Sequence, residues 1–115
     1  MKNKDTGNFG ENLACENLVE NGFNILARNW RYKHLEIDII ASKNQMLHII
    51  EVKTRSSERF GFPEQFIDKQ KFQFLKNAAA IYQFQYPRWK NIQFDVFAIT
   101  LKNPIEVLFL EDVFF

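Results

Sequence analysis

Apolar and polar positions change period several times along the chain. In residues 6–21, Glu11, Ala14, Cys15 and Leu18 fall at i, i+3, i+4 and i+7, the spacing that lines one face of a helix. Gly22 follows, a residue suited to the left-handed position just past a helix end. Glu11 therefore stands in line with small and apolar residues that should face a core. Glu16 and Glu20 fall on other faces and read as solvated.

From residue 23 the period shortens to that of strands. Residues 23–30 predict a first strand, followed by a basic Arg31-Tyr32-Lys33-His34 connection. Residues 35–42 and 46–55 predict two more, joined around Lys43-Asn44-Gln45, a turn short enough to imply an antiparallel hairpin. Ser56 to Phe66 carries Gly61 and Pro63 and reads as a loop. Asp68 suits the N-cap of a second helix with Phe72, Leu75, Ala79 and Tyr82 as its buried stripe, ended by Pro87. Residues 91–101 and 105–109 predict two last strands around an Asn103-Pro104 turn. The order α-β-β-β-α-β-β describes an α/β fold, a mixed sheet flanked by helices.

Composition narrows the class. With 115 residues, 46% of them hydrophobic, residues 1–115 are expected to form one globular domain. The first residues lack the apolar core of a secretory signal, and no apolar run approaches the ~20 residues that span a bilayer. The expectation is a cytoplasmic protein with no membrane partner. Cys15 is the single cysteine, which excludes an internal disulfide, and it reads as a core residue. A net charge of +1 does not announce a nucleic-acid binder. The last 15 residues hold one lysine against three acids, so the rest of the chain is the more basic part and anionic partners stay open.

The chemistry concentrates in residues 35–55. Strand alternation puts Glu36 with Asp38 on one face and Glu51 with Lys53 on one face. If the two polar faces coincide, acids gather beside an ammonium group, a costly arrangement unless the charges are paired or bind a metal. Asp38 and Glu51 across a hairpin could share one divalent cation such as Mg²⁺, with the Val52 carbonyl as a further oxygen. Lys53 could orient or deprotonate an attacking water, or neutralise developing negative charge. These parts suit phosphodiester hydrolysis. Alone, Glu-x-Lys is more often a cross-strand ion pair.

Asp38 with Glu51-Val52-Lys53 resembles the core of the PD-(D/E)-x-K nuclease superfamily. The ordered set Gly10-Glu11-x-x-Ala14, Glu36-Ile37-Asp38, Glu51-Val52-Lys53-Thr54-Arg55, Phe60-Gly61 and Phe94-Asp95-Val96 is similar to the YraN family, small bacterial proteins described as resembling archaeal Holliday junction resolvases. The resemblance covers nearly the whole chain. It implies a restriction-endonuclease-like fold and an Mg²⁺- or Mn²⁺-dependent endonuclease acting on DNA, with branched junctions as a substrate class. It implies metal-binding roles for Asp38, Glu51 and Glu11, and a catalytic role for Lys53. Glu36 belongs to the family motif outside the ligand positions, as an outer-shell or substrate-facing acid or half of an ion pair. Leu35 stands where the family usually has glycine, and Gln93 where it often has arginine; Asp95 reads as structural.

Arg55, Lys69, Arg31 and Lys71 are candidate phosphate contacts, Arg55 and Lys69 foremost by their nearness to the acids or to a helix start. Trp30, Tyr32 and Trp89 could stack on bases or fill the core. His34 and His48 lack a zinc-type spacing. Two further readings compete with the nuclease: a catalytically silent nucleic-acid-binding module with the same fold in a DNA repair or processing complex, and an interaction protein whose acids are all ion-paired. A homodimer would suit the two-fold symmetry of a junction. The apolar C-terminal run Val107-Leu108-Phe109-Leu110 and Val113-Phe114-Phe115 would complete the core or cover a partner.

Overall fold

The computed structural model describes residues 3–56 and 68–113, with the main chain alone for residues 3–6. The 57–67 portion of the expected loop, including Phe60-Gly61, and the terminal Phe114 and Phe115 lie outside the described residues. The elements follow the expected order: α1 (Asn3–Glu20), β1 (Asn24–Tyr32), β2 (Leu35–Lys43), β3 (Met46–Arg55), α2 (Lys69–Gln85), β4 (Ile92–Thr100) and β5 (Glu106–Leu110).

Local chemistry accounts for the ends of these elements. Gly22 adopts φ +90, and beyond it the Phe23 N–H donates to the Leu18 carbonyl at 3.0 Å. That conformation is open to glycine and closes α1. The Asp68 side chain accepts from the Lys71 N–H at 2.7 Å and caps α2. Asn44 and Gln45 both take positive φ, 52 and 67, the geometry that twists a tight hairpin to match its strands. One boundary differs from the sequence expectation. Arg31 and Tyr32 belong to β1, paired with Glu36 and Leu35, and the connection shrinks to Lys33-His34. A positive φ at Lys33 makes so short a turn feasible.

The five strands form one sheet in the order β1-β2-β3-β4-β5. All neighbours are antiparallel except β3 and β4, which are parallel. A parallel pair needs a crossover, and α2 lies in it. Each face carries one helix. Ala14 and Leu18 of α1 pack with Ile39, Ile50, Phe97 and Ile99. The whole predicted stripe of α2, Phe72, Leu75, Ala79 and Tyr82, packs with Ile37, Ile40, Leu47, Ile49 and Val96 on the opposite face. Burying each large aliphatic side chain is worth ~1.5–3 kcal/mol, so these two layers hold the sheet between the helices.

Asp95, 2% exposed, ties the far end of the sheet together. Its Oδ2 lies 2.6 Å from His48 Nδ1, and its Oδ1 accepts from Gln93 Nε2 and from the Asp112 N–H, each at 2.9 Å. Gln93 thus serves Asp95 through its side-chain amide. Phe109, Leu110 and Val113 complete the core, whereas Val107 and Leu108 are exposed. Leu35 packs under α2. No described helix is long and apolar enough to cross a membrane.

Candidate active site

The sheet forks where the acids stand. β2 and β3 pair from Lys43↔Met46 only as far as Ile39↔Ile50. Beyond that point β2 continues against β1, through Ile37↔Trp30 and Glu36↔Arg31, while β3 continues against β4 to Arg55↔Thr100. Asp38 and Glu51 are the first residues of the two diverging arms. Strict alternation also breaks here, because Ile37 packs beneath α2 and Ile39 beneath α1. Opposite Asp38 in β1 is Asn29, with φ 50 and no place in the pairing register between Arg28↔Ile39 and Trp30↔Ile37. A left-handed residue within a strand reorients the side chains around it, and asparagine tolerates that region better than most.

The fork explains how the polar groups meet. Asp38 reaches across it, and its Oδ2 accepts from the Val52 N–H at 2.9 Å. Glu51 is turned toward α2, where Lys71 Nζ lies 3.4 Å from its Oε2; Lys53 Nζ is 3.9 Å from its Oε1. The two polar faces therefore do not coincide on a flat sheet, as simple alternation would have it. They converge through the opening between β2 and β3.

Around this opening lies a cleft of about 380 Å³, lined by Gly7, Glu11, Asp38, Glu51, Val52, Lys53 and Thr54. α1 delivers Glu11 to it because Gly10 presses directly on β3: a Cβ at residue 10 would land on Thr54 Oγ1.

The electrostatics of the cleft are strained. Burial, the neighbouring Asp38 charge and a hydrogen bond to Asp38 raise the Glu51 pKa to about 8, against the opposing pull of Lys71 and Lys53. Glu11 is raised as well, by burial and then by Asp38, while a hydrogen bond from Asn29 and the charge of Arg28 work in the other direction. Glu11 Oε1 is buried without a hydrogen-bond partner, and Arg28 Nη2 stands 3.8 Å away. A buried carboxylate oxygen with nothing to bond is costly.

Among the described residues, no three Asp, Glu, His or Cys side chains converge into a ready-made metal-ligand group. Mg²⁺ seldom needs one, since it is usually held by one or two carboxylates with waters and substrate oxygens. The all-oxygen donors here fit such an ion: Asp38 and Glu51 at the fork, Glu11 with its unsatisfied Oε1, and Val52 at the cleft wall.

The other predicted residues fall into place differently. Glu36 pairs with Arg31 at 3.4 Å, the ion-pair alternative for that acid, so Arg31 is engaged with a carboxylate. Arg55 Nε donates to Thr100 Oγ1 at 3.1 Å. Lys69 is exposed at the start of α2, and Lys71, two residues along, faces Glu51. Lys53 faces Glu51 at 3.9 Å, whereas the ion pair of Glu11 is with Arg28 at 3.8 Å. Arg28 also donates to Asn12 Oδ1 at 2.8 Å. Asn29 escaped the sequence reading altogether. An asparagine opposite Asp38 in an antiparallel pair is the signal that was available.

Comparison with known proteins places the chain. The model of uncharacterised protein family UPF0102 matches residues 10–99, from the glycine before Glu11 to the penultimate residue of β4. The chain belongs to this family, the YraN family of the sequence reading. A UPF0102 protein of Flavobacterium psychrophilum is 39% identical over 115 residues, covering 99% of this chain and 97% of that protein. One from Dictyoglomus thermophilum is 38% identical over 109 residues, covering 94% and 92%. A third, from Thermodesulfovibrio yellowstonii, is 38% identical over 115 residues and covers both chains in full. The UPF0102 match thus includes every residue that lines the cleft except Gly7.

Proposed function

We propose that this protein is a divalent-metal-dependent endonuclease that hydrolyses phosphodiester bonds in DNA, with branched DNA as its substrate class. The observation that carries the reading is the meeting of Asp38, Glu51 and Lys53 at a fork in the sheet, inside an open cleft that also receives Glu11. A bound Mg²⁺ or Mn²⁺ would supply Lewis-acid polarisation of a phosphoryl oxygen and a more acidic bound water. Asp38, Glu51 and Glu11, with the Val52 carbonyl, are the groups that would hold it. Lys53, one-third exposed, presents an ammonium group at the cleft to steady charge gathering on the phosphate or to orient the water. Lys71 offsets the charge of Glu51 from the α2 side.

A second reading rests on a specific observation. Two ammonium groups already face Glu51, and among the described residues the acids do not close a three-ligand set. On that reading the protein binds nucleic acid without cutting it and works within a larger complex.

Cleavage of labelled single-stranded, duplex, flap and four-way-junction DNA separates the two. Each substrate is incubated with Mn²⁺, Mg²⁺ or chelator, and Asp38→Asn serves as control. Metal-dependent products that vanish in the variant support the nuclease, and the substrate ranking tests the preference for branches. Binding of the same substrates without products from any of them supports the silent module. Light scattering with and without junction DNA tests whether the protein acts as a homodimer, the arrangement that matches two-fold substrate symmetry.

A further inference from the structure

We propose a second binding site, for a phosphate ester, at the opposite end of the β2–β3 hairpin from the acids. A pocket of about 410 Å³ opens there between the hairpin turn, the start of β1 and the segment joining α2 to β4. Its walls carry Lys43, Arg88 and Lys90, and no carboxylate lines it. Three cations in one pocket contrast with +1 for the whole protein.

The cations are arranged rather than merely gathered. The Arg88 guanidinium lies over the Trp89 ring, 4.6 Å from its centroid. Stacking of this kind restrains the guanidinium plane and leaves its N–H edge available, the form in which arginine grips phosphate through paired hydrogen bonds. Trp89 is itself held: Gln83 Nε2 donates to its carbonyl at 3.1 Å, its N–H donates to the Tyr86 carbonyl at 3.2 Å, and the ring packs against the α2 cluster. Lys43 Nζ is held by the Asn21 carbonyl, 2.7 Å away, and lies over the Phe23 ring, 5.0 Å from its centroid, which leaves Arg88 and Lys90 as the principal cations of the pocket. Among the described residues, neither Arg88 nor Lys90 has an acid partner. The exposed amides of Asn44 and Asn91 add neutral donors. Paired cations with neutral donors and no competing acid are the chemistry of a phosphate site, and Trp89 offers a flat neighbour for a base.

The phosphate can come from a nucleotide or from a nucleic-acid backbone. The hairpin distinguishes them. Five residue steps along β3 lead from Met46 to Glu51, a rise of ~17 Å, so only a strand of several nucleotides could touch both this pocket and the acidic cleft. The site does not depend on the nuclease reading, because none of its residues lines that cleft.

The test follows amide and indole signals of the full chain by two-dimensional NMR during titration with inorganic phosphate, AMP and a twelve-nucleotide DNA strand. Sodium chloride at matched ionic strength is the control. Saturable shifts are expected at the Trp89 indole and at the Asn44 and Asn91 amides. Affinity should fall at least about tenfold in an R88Q/K90Q double variant. Both side chains are exposed, so the variant's dispersed spectrum reports a retained fold. The same shifts in Asp38→Asn show that the acidic cleft is not the origin. Tighter binding of AMP than of phosphate identifies a nucleotide site, and much tighter binding of the DNA strand identifies a backbone site. Shifts that chloride reproduces, that never saturate, or that persist unchanged in R88Q/K90Q overturn the proposal.

Discussion

Asp38 Oδ2 accepts a hydrogen bond from the main-chain N–H of Val52 at 2.9 Å, across the gap where β2 and β3 have ceased to pair. One side chain thus replaces a ladder bond that the fork has removed and fixes the spacing of the cleft. Asp38 is both a candidate metal ligand and the strut that holds its neighbours.

That double role separates two substitutions. Asp38→Asn keeps a carbonyl oxygen that can accept from Val52, whereas Asp38→Ala leaves the N–H bare. Urea denaturation should show Asp38→Ala destabilised by about 1–3 kcal/mol, with Asp38→Asn within about 1 kcal/mol of the wild type. Cleavage should be absent from both.

Glu51 makes stability depend on pH. Its pKa in the folded protein is about 8, against 4.5 for the free side chain. The stability this allows is fully present below 4.5, where folded and unfolded chains are both protonated. Between 4.5 and about 8 the unfolded chain gives up its proton more readily, so stability falls as pH rises and levels off above 8. Glu51→Gln should flatten that slope. Urea midpoints measured from pH 4 to 9 for the two proteins check it.

A divalent ion that binds the folded site should stabilise it by mass action, about 2.7 kcal/mol at a hundredfold excess over its dissociation constant. Thermal melts with increasing Mn²⁺ should rise for the wild type and stay flat for Glu51→Gln. Removing the ion with chelator should return the wild type to its starting point. A flat wild-type curve would favour the interaction protein whose acids are all ion-paired.

Gly10 should resist even alanine. Alanine normally stabilises a helix interior relative to glycine by about 1 kcal/mol. Here the added methyl meets Thr54 Oγ1, and a β-branched side chain has little freedom to turn aside. Gly10→Ala is expected to lose about 1–3 kcal/mol. The Gly10→Ala/Thr54→Ala pair should lose less than the two singles combined, which a double-mutant cycle measures.

Asn29 tests backbone and side chain separately. At φ 50, Asn29→Gly keeps the main chain comfortable and deletes the hydrogen bond to Glu11, whereas Asn29→Ala adds left-handed strain of about 1–2 kcal/mol. Alanine should therefore be the less stable of the two by that margin in denaturant titrations. Both should push the Glu11 pKa further up, as read by carboxyl NMR.

Much of the fold was legible because periodicity acts locally. The spacing of Phe72, Leu75, Ala79 and Tyr82 needs only the geometry of one helix to place them on a common stripe, and all four are buried. Asp68 as cap and Gly22 as terminator depend on their own side chains or backbone freedom. The connection after Trp30 misled because a run of basic residues resembles a loop, while a two-residue turn at Lys33-His34 let Arg31 and Tyr32 go on pairing.

The sequence by itself determined which elements form, in which order, and that Asp38, Glu51 and Lys53 stand on neighbouring strands with Glu11 on a core-facing helix. Strand and helix periods are properties of a few consecutive residues, so they survive without knowledge of the rest. Only the tertiary structure decided where β2 and β3 stop pairing, that Ile37 and Ile39 turn to opposite helices, and that Lys71 rather than Lys53 lies nearer Glu51. Those outcomes depend on two helices pressing on two faces of one sheet, with a left-handed Asn29 in β1 opposite the point where the arms part. No local pattern carries that information, because the contacts that set it join residues far apart in the chain.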